Sequence, residues 1–445
     1  MPDLLSLSGL VAGGVTDMGD HYRIGATGTV IPTVCHSCAS PLYRHGSQPQ
    51  SYMDTPMHGK RVLIEINRKR YRCKSCGKTL FEPLQPFDDK RLMTQRLVAY
   101  IESHCTRKTF ADLSREVGVD AKTVRHIFDD YVSRLKKTVI FQTPEIMGID
   151  ELKIIGQYRA MITNVGKLSL FDMLPTRNKT DIVAYLKTMP DKGNVRLVTM
   201  DMWNPYRQAV QTVLPERPIV ADRFHVVRMA NNAVEAVRKT IRKELTTHHR
   251  LKLKDDRFVL LSRLANLNFN EQEKLKEWSN LFPALGAAYR AKEEFHDLYN
   301  LQCRTDAERA AKAWIQNLDP SIEWAFKDLK TALGNWWVEI FNHYEYPISN
   351  GYTESINNIA KGMNRMGRGY SFEVIRARLL YDKTARAKTT QTVRKKNKRI
   401  AEQPTDGFAF FLGLPEPTDQ TNTKIIEYGP HLPTLARLLE EGYFS

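Results

Sequence analysis

The chain has 445 residues, and its 66 Lys and Arg against 50 Asp and Glu give a formal net charge of +16 at pH 7. Such a length buries a large core in roughly two to four domains, and such an excess of cations makes a polyanion the leading partner class. No run of about 18 apolar residues exists, which excludes a membrane-spanning helix, and six cysteines in so long a chain do not form a secreted disulfide framework. The opening LLSLSGLVAGG is apolar but short and follows no positive segment, so no signal peptide is expected and the compartment is a reducing cytoplasm.

Strands come first. Alternation predicts strands over 21–30 and 61–72, with Val62, Ile64 and Ile66 on one face. Cys35-x-x-Cys38 precedes the second strand and Cys73-x-x-Cys76 follows it. Two such knuckles can set four thiolates around one zinc, structural because no ligand position stays open; the plainer reading is four thiols without metal. Cys105 and Cys303 stand alone and read as packing residues.

Residues 92–137 are compactly helical. Thr109 caps a helix with Phe110, Leu113 and Val117 on one face, Gly118-Val119-Asp120 turns, and Val124, Ile127, Phe128 and Tyr131 face inward from the next helix. That is helix-turn-helix spacing, with Lys122, Thr123, Arg125 and His126 turned out toward DNA. A helical hairpin with no such role has similar periodicity; the basic chain and the knuckles favour DNA.

From Glu145 the pattern changes to three strands, a helix over 178–189, and a strand from Val195 that ends at Asp201. A second helix over 203–213 is closed by Pro215 and Pro218, and strand 219–221 ends at Asp222-Arg-Phe-His225. Acids at the ends of buried strands lie where open α/β sheets put their ligands. This order matches the sheet of ribonuclease-H-like folds, with Asp150 beside Asp201. Such a pair binds a hard cation through oxygen, and magnesium suits it. Glu151 is adjacent to Asp150, and successive strand residues face opposite ways; spacing alone does not choose between them.

Residues 228–346 read as almost wholly helical, an insertion packed on its own core with Trp314 and Trp324 inside it. A helix then follows Ser349 and Asn350, with Glu354, Asn357, Asn358, Lys361 and Arg365 on one face and Ile356, Ile359, Ala360 and Met363 on the other. A solvated surface would produce the same stripe, although two asparagines are poor helix formers for that purpose. Lys361, Arg365 and Arg368 are phosphate-binding candidates, with Gly362, Gly367 and Gly369 loosening the backbone among them. The basic run Lys388 to Arg399 reads either as a DNA-contacting tail or as a solvated linker.

With CHSC and CKSC at the front, GIDE at Asp150, VTMDMWNPYRQAV at Asp201, IVADRFHVV at Asp222 and SNGYTESINNIAK at Glu354, the chain resembles bacterial insertion-sequence DDE transposases. The likeness is closest to the insertion-sequence L-three family and spans roughly Cys35 to Tyr381. It implies a multidomain α/β protein: a ribonuclease-H-like catalytic core interrupted by a helical insertion, with an N-terminal zinc-binding β module and a helix-turn-helix. The domains expected are a zinc module over 1–88, a helix-turn-helix over 89–140, and catalytic segments over 141–228 and 347–388. The helical insertion falls over 229–346, and a basic linker and tail over 389–445. The resemblance selects Asp150, Asp201 and Glu354 as catalytic acids holding two magnesium ions, with manganese as a substitute. Asp222, His225 and Asn357 are supporting residues. Two metals about 3.5–4 Å apart would generate the nucleophile and stabilise the leaving oxyanion. The implied partners are the element's terminal inverted repeats, target DNA and a second subunit. Two rivals are a DNA-binding regulator with a silent sheet domain and a structure-specific nuclease that cuts without joining.

Overall fold

The computed structural model describes residues 5–382. The basic run from Lys388 and the tail that follows lie outside the described residues.

The N-terminal part is built on seven strands: β1 (Leu10–Asp17), β2 (His21–Gly28), β3 (Leu42–Met57), β4 (Lys60–Cys73), β5 (Thr79–Phe81), β6 (Phe87–Asp88) and β7 (Met93–Thr94). They pair in the order β1-β2-β4-β3-β7-β6, with β5 on β4. β3 and β4 form a long antiparallel hairpin, Leu42 opposite Cys73 at one end and Met57 opposite Lys60 at the other. Val62, Ile64 and Ile66 are buried on one face with Ile24 and Tyr52, as the period-2 pattern requires. The sheet continues past residue 88, because β7 pairs with Met53 before leading into the first helix.

Three helices follow: α1 (Gln95–His104), α2 (Phe110–Val117) and α3 (Ala121–Thr138). Sequence signals place their ends well. Thr109 Oγ1 accepts from Asp112 N, Gly118 stops α2 at φ +75°, and Asp120 accepts from Lys122 N and Thr123 N. The core of this unit holds a surprise. Leu113, Val117, Val124, Ile127 and Phe128 are joined by Val374, Ala377, Leu380 and Tyr381 from the far end of the chain.

The second sheet runs β10-β9-β8-β11-β12, from β8 (Ile146–Ile154), β9 (Gln157–Asn164), β10 (Ser169–Leu174), β11 (Leu197–Met200) and β12 (Ile219–Ala221). β8 pairs antiparallel with β9 and parallel with β11, so it sits in the middle. Helices α4 (Lys179–Thr188) and α5 (Asn204–Val213) pack against the face that carries Met147 and Ile149. The opposite face, with Leu152, Ile154, Met161 and Met173, is covered by α14 (Gly351–Met366) and α15 (Phe372–Tyr381).

Between these layers the chain forms α6 (Arg223–Glu244), α7 (Thr247–Asp255), α8 (Arg257–Leu261), α9 (Phe269–Leu281), α10 (Pro283–Leu298), α11 (Arg304–Gln316), α12 (Lys327–Asn335) and α13 (Trp337–Phe341). A separate core was expected here, and the structure corrects it. One buried cluster runs unbroken from Ile149 through Val226 and Ala230 of α6 to Trp278, Phe295 and Phe341. The physical reason is that α6 springs directly from β12 and buries its apolar stripe in the same cluster as the Met147 and Ile149 face of the sheet and the helices that follow. Asn342 Nδ2 donating to Ile219 O (2.8 Å) and Arg207 donating to Asn335 O (2.7 Å) stitch the two together. Trp314 is buried as expected, as is Trp278, but Trp324, expected inside, is 52% exposed.

Candidate functional site

β8 resolves the choice between its neighbouring acids. Asp150 shares a face with Leu152 and Ile154 and looks toward α14, while Glu151 points to the other side and pairs with Arg177. Asp150 is buried, and both its oxygens are held: Oδ1 accepts from Glu151 N (2.7 Å) and Oδ2 from Asn357 Nδ2 (2.7 Å). The parallel strands β11 and β12 stop side by side, level with Ile149 of β8, which runs on to Ile154, and this brings Asp201 and Asp222 to the same edge beside Asp150. His225, one turn into α6, sets Nδ1 2.9 Å from Asp201 Oδ1 and 3.0 Å from Asp222 Oδ2. Asp222 also caps α6 at Phe224 N and accepts from Asn350 N (3.3 Å).

The helix α14 is seated by polar contacts that periodicity did not reveal. Asn350, 1% exposed, donates from Nδ2 to Ile149 O (3.2 Å) and accepts from Thr353 Oγ1 (2.5 Å). Thr353 in turn meets Thr163 of β9 at 2.7 Å. All of this fits against Gly148, where a Cβ would stand 2.5–2.6 Å from the oxygens of Thr163, Asn350 and Thr353. The expected stripe is therefore rotated. Asn357 is buried because Asp150 and Glu151 O take its amide hydrogens, while Ile359, expected inside, is 48% exposed. Glu354 lies one turn before Asn357, half-buried, and its carboxylate makes no hydrogen bond or ion pair with the described residues.

The electrostatics describe crowded anions. Burial, then the adjacent Asp201, pushes the Asp150 carboxyl up to about 8. Burial opposes a charge on His225, but hydrogen bonds to Asp201 and Asp222 outweigh it and raise the imidazole to about 10. One imidazole thus faces two aspartates, while burial and Asp201 disfavour the charged form of the third, Asp150. Asn357 Oδ1 is buried without a hydrogen-bond partner. Oxygen donors in negative excess fit a hard divalent cation. Among the described residues of this site, the groups close enough to share one ion are Asp201, Asp222 and His225, a set that includes neither Asp150 nor Glu354.

The other expected sites are also placed. Cys35, Cys38, Cys73 and Cys76 form one cluster, with Cys35 Sγ–Cys76 Sγ at 3.6 Å and Cys38 Sγ–Cys73 Sγ at 3.4 Å. A tetrahedral zinc has sulfur–sulfur edges of about 3.8 Å, so these thiols suit a structural zinc. On α3, Lys122 and His126 are exposed; Thr123 Oγ1 donates to Asp120, and Arg125 pairs with Asp129 at 3.0 Å. Lys361, Arg365 and Arg368 are exposed near the end of α14 and make no ion pair with the described residues. Gly367 does not loosen that segment. It admits the Tyr370 ring, which would overlap any Cβ there.

The chain belongs to the ISL3 family of transposases, whose transposase domain matches residues 147–379. A zinc-finger of the transposases of IS204, IS1001, IS1096 and IS1165 matches residues 31–76, and the helix-turn-helix domain of the family matches 82–132. The transposase for insertion sequence element IS1001 of Bordetella parapertussis is 22% identical over 363 residues, covering 80% of this chain and 89% of that one. No helix among the described residues is long and apolar enough to cross a membrane.

Proposed function

We propose that this transposase binds the terminal inverted repeats of its own insertion sequence, cleaves them by phosphodiester hydrolysis and joins the 3′-hydroxyl ends to target DNA. In this reading the second sheet is the ribonuclease-H-like core, α6–α13 are its helical insertion, and Asp150, Asp201 and Glu354 are the catalytic acids. The domains follow the order given above: zinc module, helix-turn-helix, and a catalytic core whose two segments flank the helices. It acts as a homodimer, because two ends must meet, on DNA in the bacterial cytoplasm.

The observation that carries the reading is the amide of Asn357 on Asp150 Oδ2, which joins the helix of Glu354 to the strand of Asp150, with Asp201 alongside. Two magnesium ions, or manganese in their place, would activate water and neutralise the charge that develops on the transferred phosphate. The chain's own residues do the positioning. Asn357 and Glu151 N fix the Asp150 carboxylate, and His225 Nδ1 holds Asp201 against Asp222. Asn350 ties α14 to Asp222. Lys361, Arg365 and Arg368 hold phosphates along the exposed flank of α14, and Lys122, Thr123, Arg125 and His126 meet DNA from α3.

The test is an in vitro reaction of full-length protein with magnesium and labelled DNA carrying the element's ends. Wild type is expected to cleave and join, while Glu354→Gln and Asp201→Asn bind the ends with unchanged affinity and do neither. Cleavage without joining by the wild type would replace this reading with a nuclease, and retained joining in Asp201→Asn would remove that acid from the assignment.

A further inference from the structure

The tip of the β3–β4 ribbon is charged far beyond its surroundings. Residues 33–50 and 67–80, which surround the cysteine cluster, contain seven Lys and Arg and no Asp or Glu. Arg68 and Lys69 reach back to Asp89 and Glu82. The other five, Arg44, Arg70, Arg72, Lys74 and Lys78, make no ion pair with the described residues, and all but the half-buried Arg70 are exposed. Compensation of the thiolates accounts for part of this. Zinc with four thiolates carries a formal charge of roughly −2, so five cations still leave an excess of roughly three.

The opposite end of the same ribbon is clamped to the helix-turn-helix. Arg61 donates from Nε and Nη2 to Arg115 O (3.1 and 2.9 Å), and Gly118, at the turn between α2 and α3, has room for no Cβ because Met53 and Arg61 stand 2.7–2.8 Å away. From Arg61 to Cys73 the strand spans twelve rises of about 3.3 Å, or about 40 Å. A helical turn of B-DNA is about 34–36 Å.

We propose that the cysteine-bearing tip of the ribbon is a second DNA contact, a sequence-independent clamp on the phosphate backbone about one helical turn from the groove entered by α3. Its ligand is duplex DNA, recognised by charge alone. The inference rests on the reading of α3 as the DNA reader, and the experiment separates the two.

Full-length, zinc-loaded protein is titrated with potassium chloride on a labelled duplex carrying the element's end and on one of random sequence. The variants are Lys74→Gln/Lys78→Gln, Arg44→Gln/Arg72→Gln, and the quadruple combination. Each phosphate contact removed lowers the slope of log K against log salt by about 0.9. Each double variant is therefore expected to lose up to about 1.8 of slope, equally on both duplexes, with one zinc per chain and an unchanged melting temperature. Hydroxyl-radical protection should vanish about one turn from the protection that α3 gives. The proposal fails if the slopes are unchanged, if only end-sequence DNA is affected, or if both double variants lose their zinc. A Lys122→Ala/His126→Ala variant reads the other arm. Unchanged preference for the end sequence there would remove α3 as the reader, while the ribbon result would stand.

Discussion

Asn357 is the residue on which the site's geometry most depends. Its amide hydrogens face two acceptors, Asp150 Oδ2 and Glu151 O, which settles the orientation of the group. Asn357→Asp keeps the shape but removes both donors and sets a carboxylate against Asp150. That variant is expected to lose at least a hundredfold in joining rate and to require more magnesium, with end-binding affinity within about twofold of wild type. Joining at the wild-type rate would show that Asp150 needs no such support. Gly148→Ala is expected to act in the same direction, because a Cβ there collides with the oxygens that seat α14. Lys292 gives a pH dependence away from the site. It is fully buried, donates to Leu260 O and Ser262 O, and burial pushes its ammonium down to about 8. Between about pH 8 and the unfolded value near 10.4 the unfolded chain binds the extra proton, so this group's contribution to stability rises with pH. The stability of wild type relative to Lys292→Met should therefore increase from pH 7.5 to 9.5 in chemical denaturation. A difference that is flat or falls would show that the lysine is charged in the fold.

At the scale of elements, the helix-turn-helix is incomplete without α15. Arg378 donates from Nε to Thr106 O (3.0 Å), from Nη2 to Lys108 O (3.0 Å) and from Nη1 to Tyr370 Oη (2.8 Å). Phe110 N also donates to Tyr370 Oη, and the two rings lie 4.9 Å apart. Arg378→Met leaves two carbonyls without their partners at a buried joint, and a loss of about 2–3 kcal/mol is expected. A fragment ending at residue 140 should accordingly show no cooperative melting of α1–α3, whereas the full chain does. Cooperative melting of the fragment would show that α15 is dispensable. The helices themselves were legible in sequence, because Thr109, Gly118 and Asp120 act on their own backbone neighbours. The closure by α15 was not, because Val374 and Leu380 look like any apolar helix face until their partners are known. For the same reason Ile359 was placed inside and Asn357 outside. Hydrophobic period weighs the side chain and does not see the acceptor opposite it.

At the scale of the whole molecule, the strand order explains how acids so far apart in sequence meet. β8 lies between β9 and β11, so the chain must cross over before Asp201 can stand beside Asp150. Two strands ending in aspartate were visible in the sequence, and their adjacency follows from parallel pairing, Met200 beside Ile149 and beside Ala221. The helical region looked separate because its leucines and tryptophans recur at helical spacing with no sign of the sheet. In the fold it shares one core with the sheet, which predicts a single calorimetric transition for both. Two resolved transitions would mean that the helices form an independent domain.

The bonds from Arg378 to Thr106 and Lys108 span 272 and 270 positions of sequence. Contacts of such long range are made late, after the entropy of closing the intervening loop has been met. On the ribosome, α1–α3 emerge early but lack these bonds until α15 has left the exit tunnel. In the proposed reading, the DNA-reading helices therefore close only after Asp150, Asp201 and Glu354 have all been made, so a truncated nascent chain has no finished reader to place on DNA.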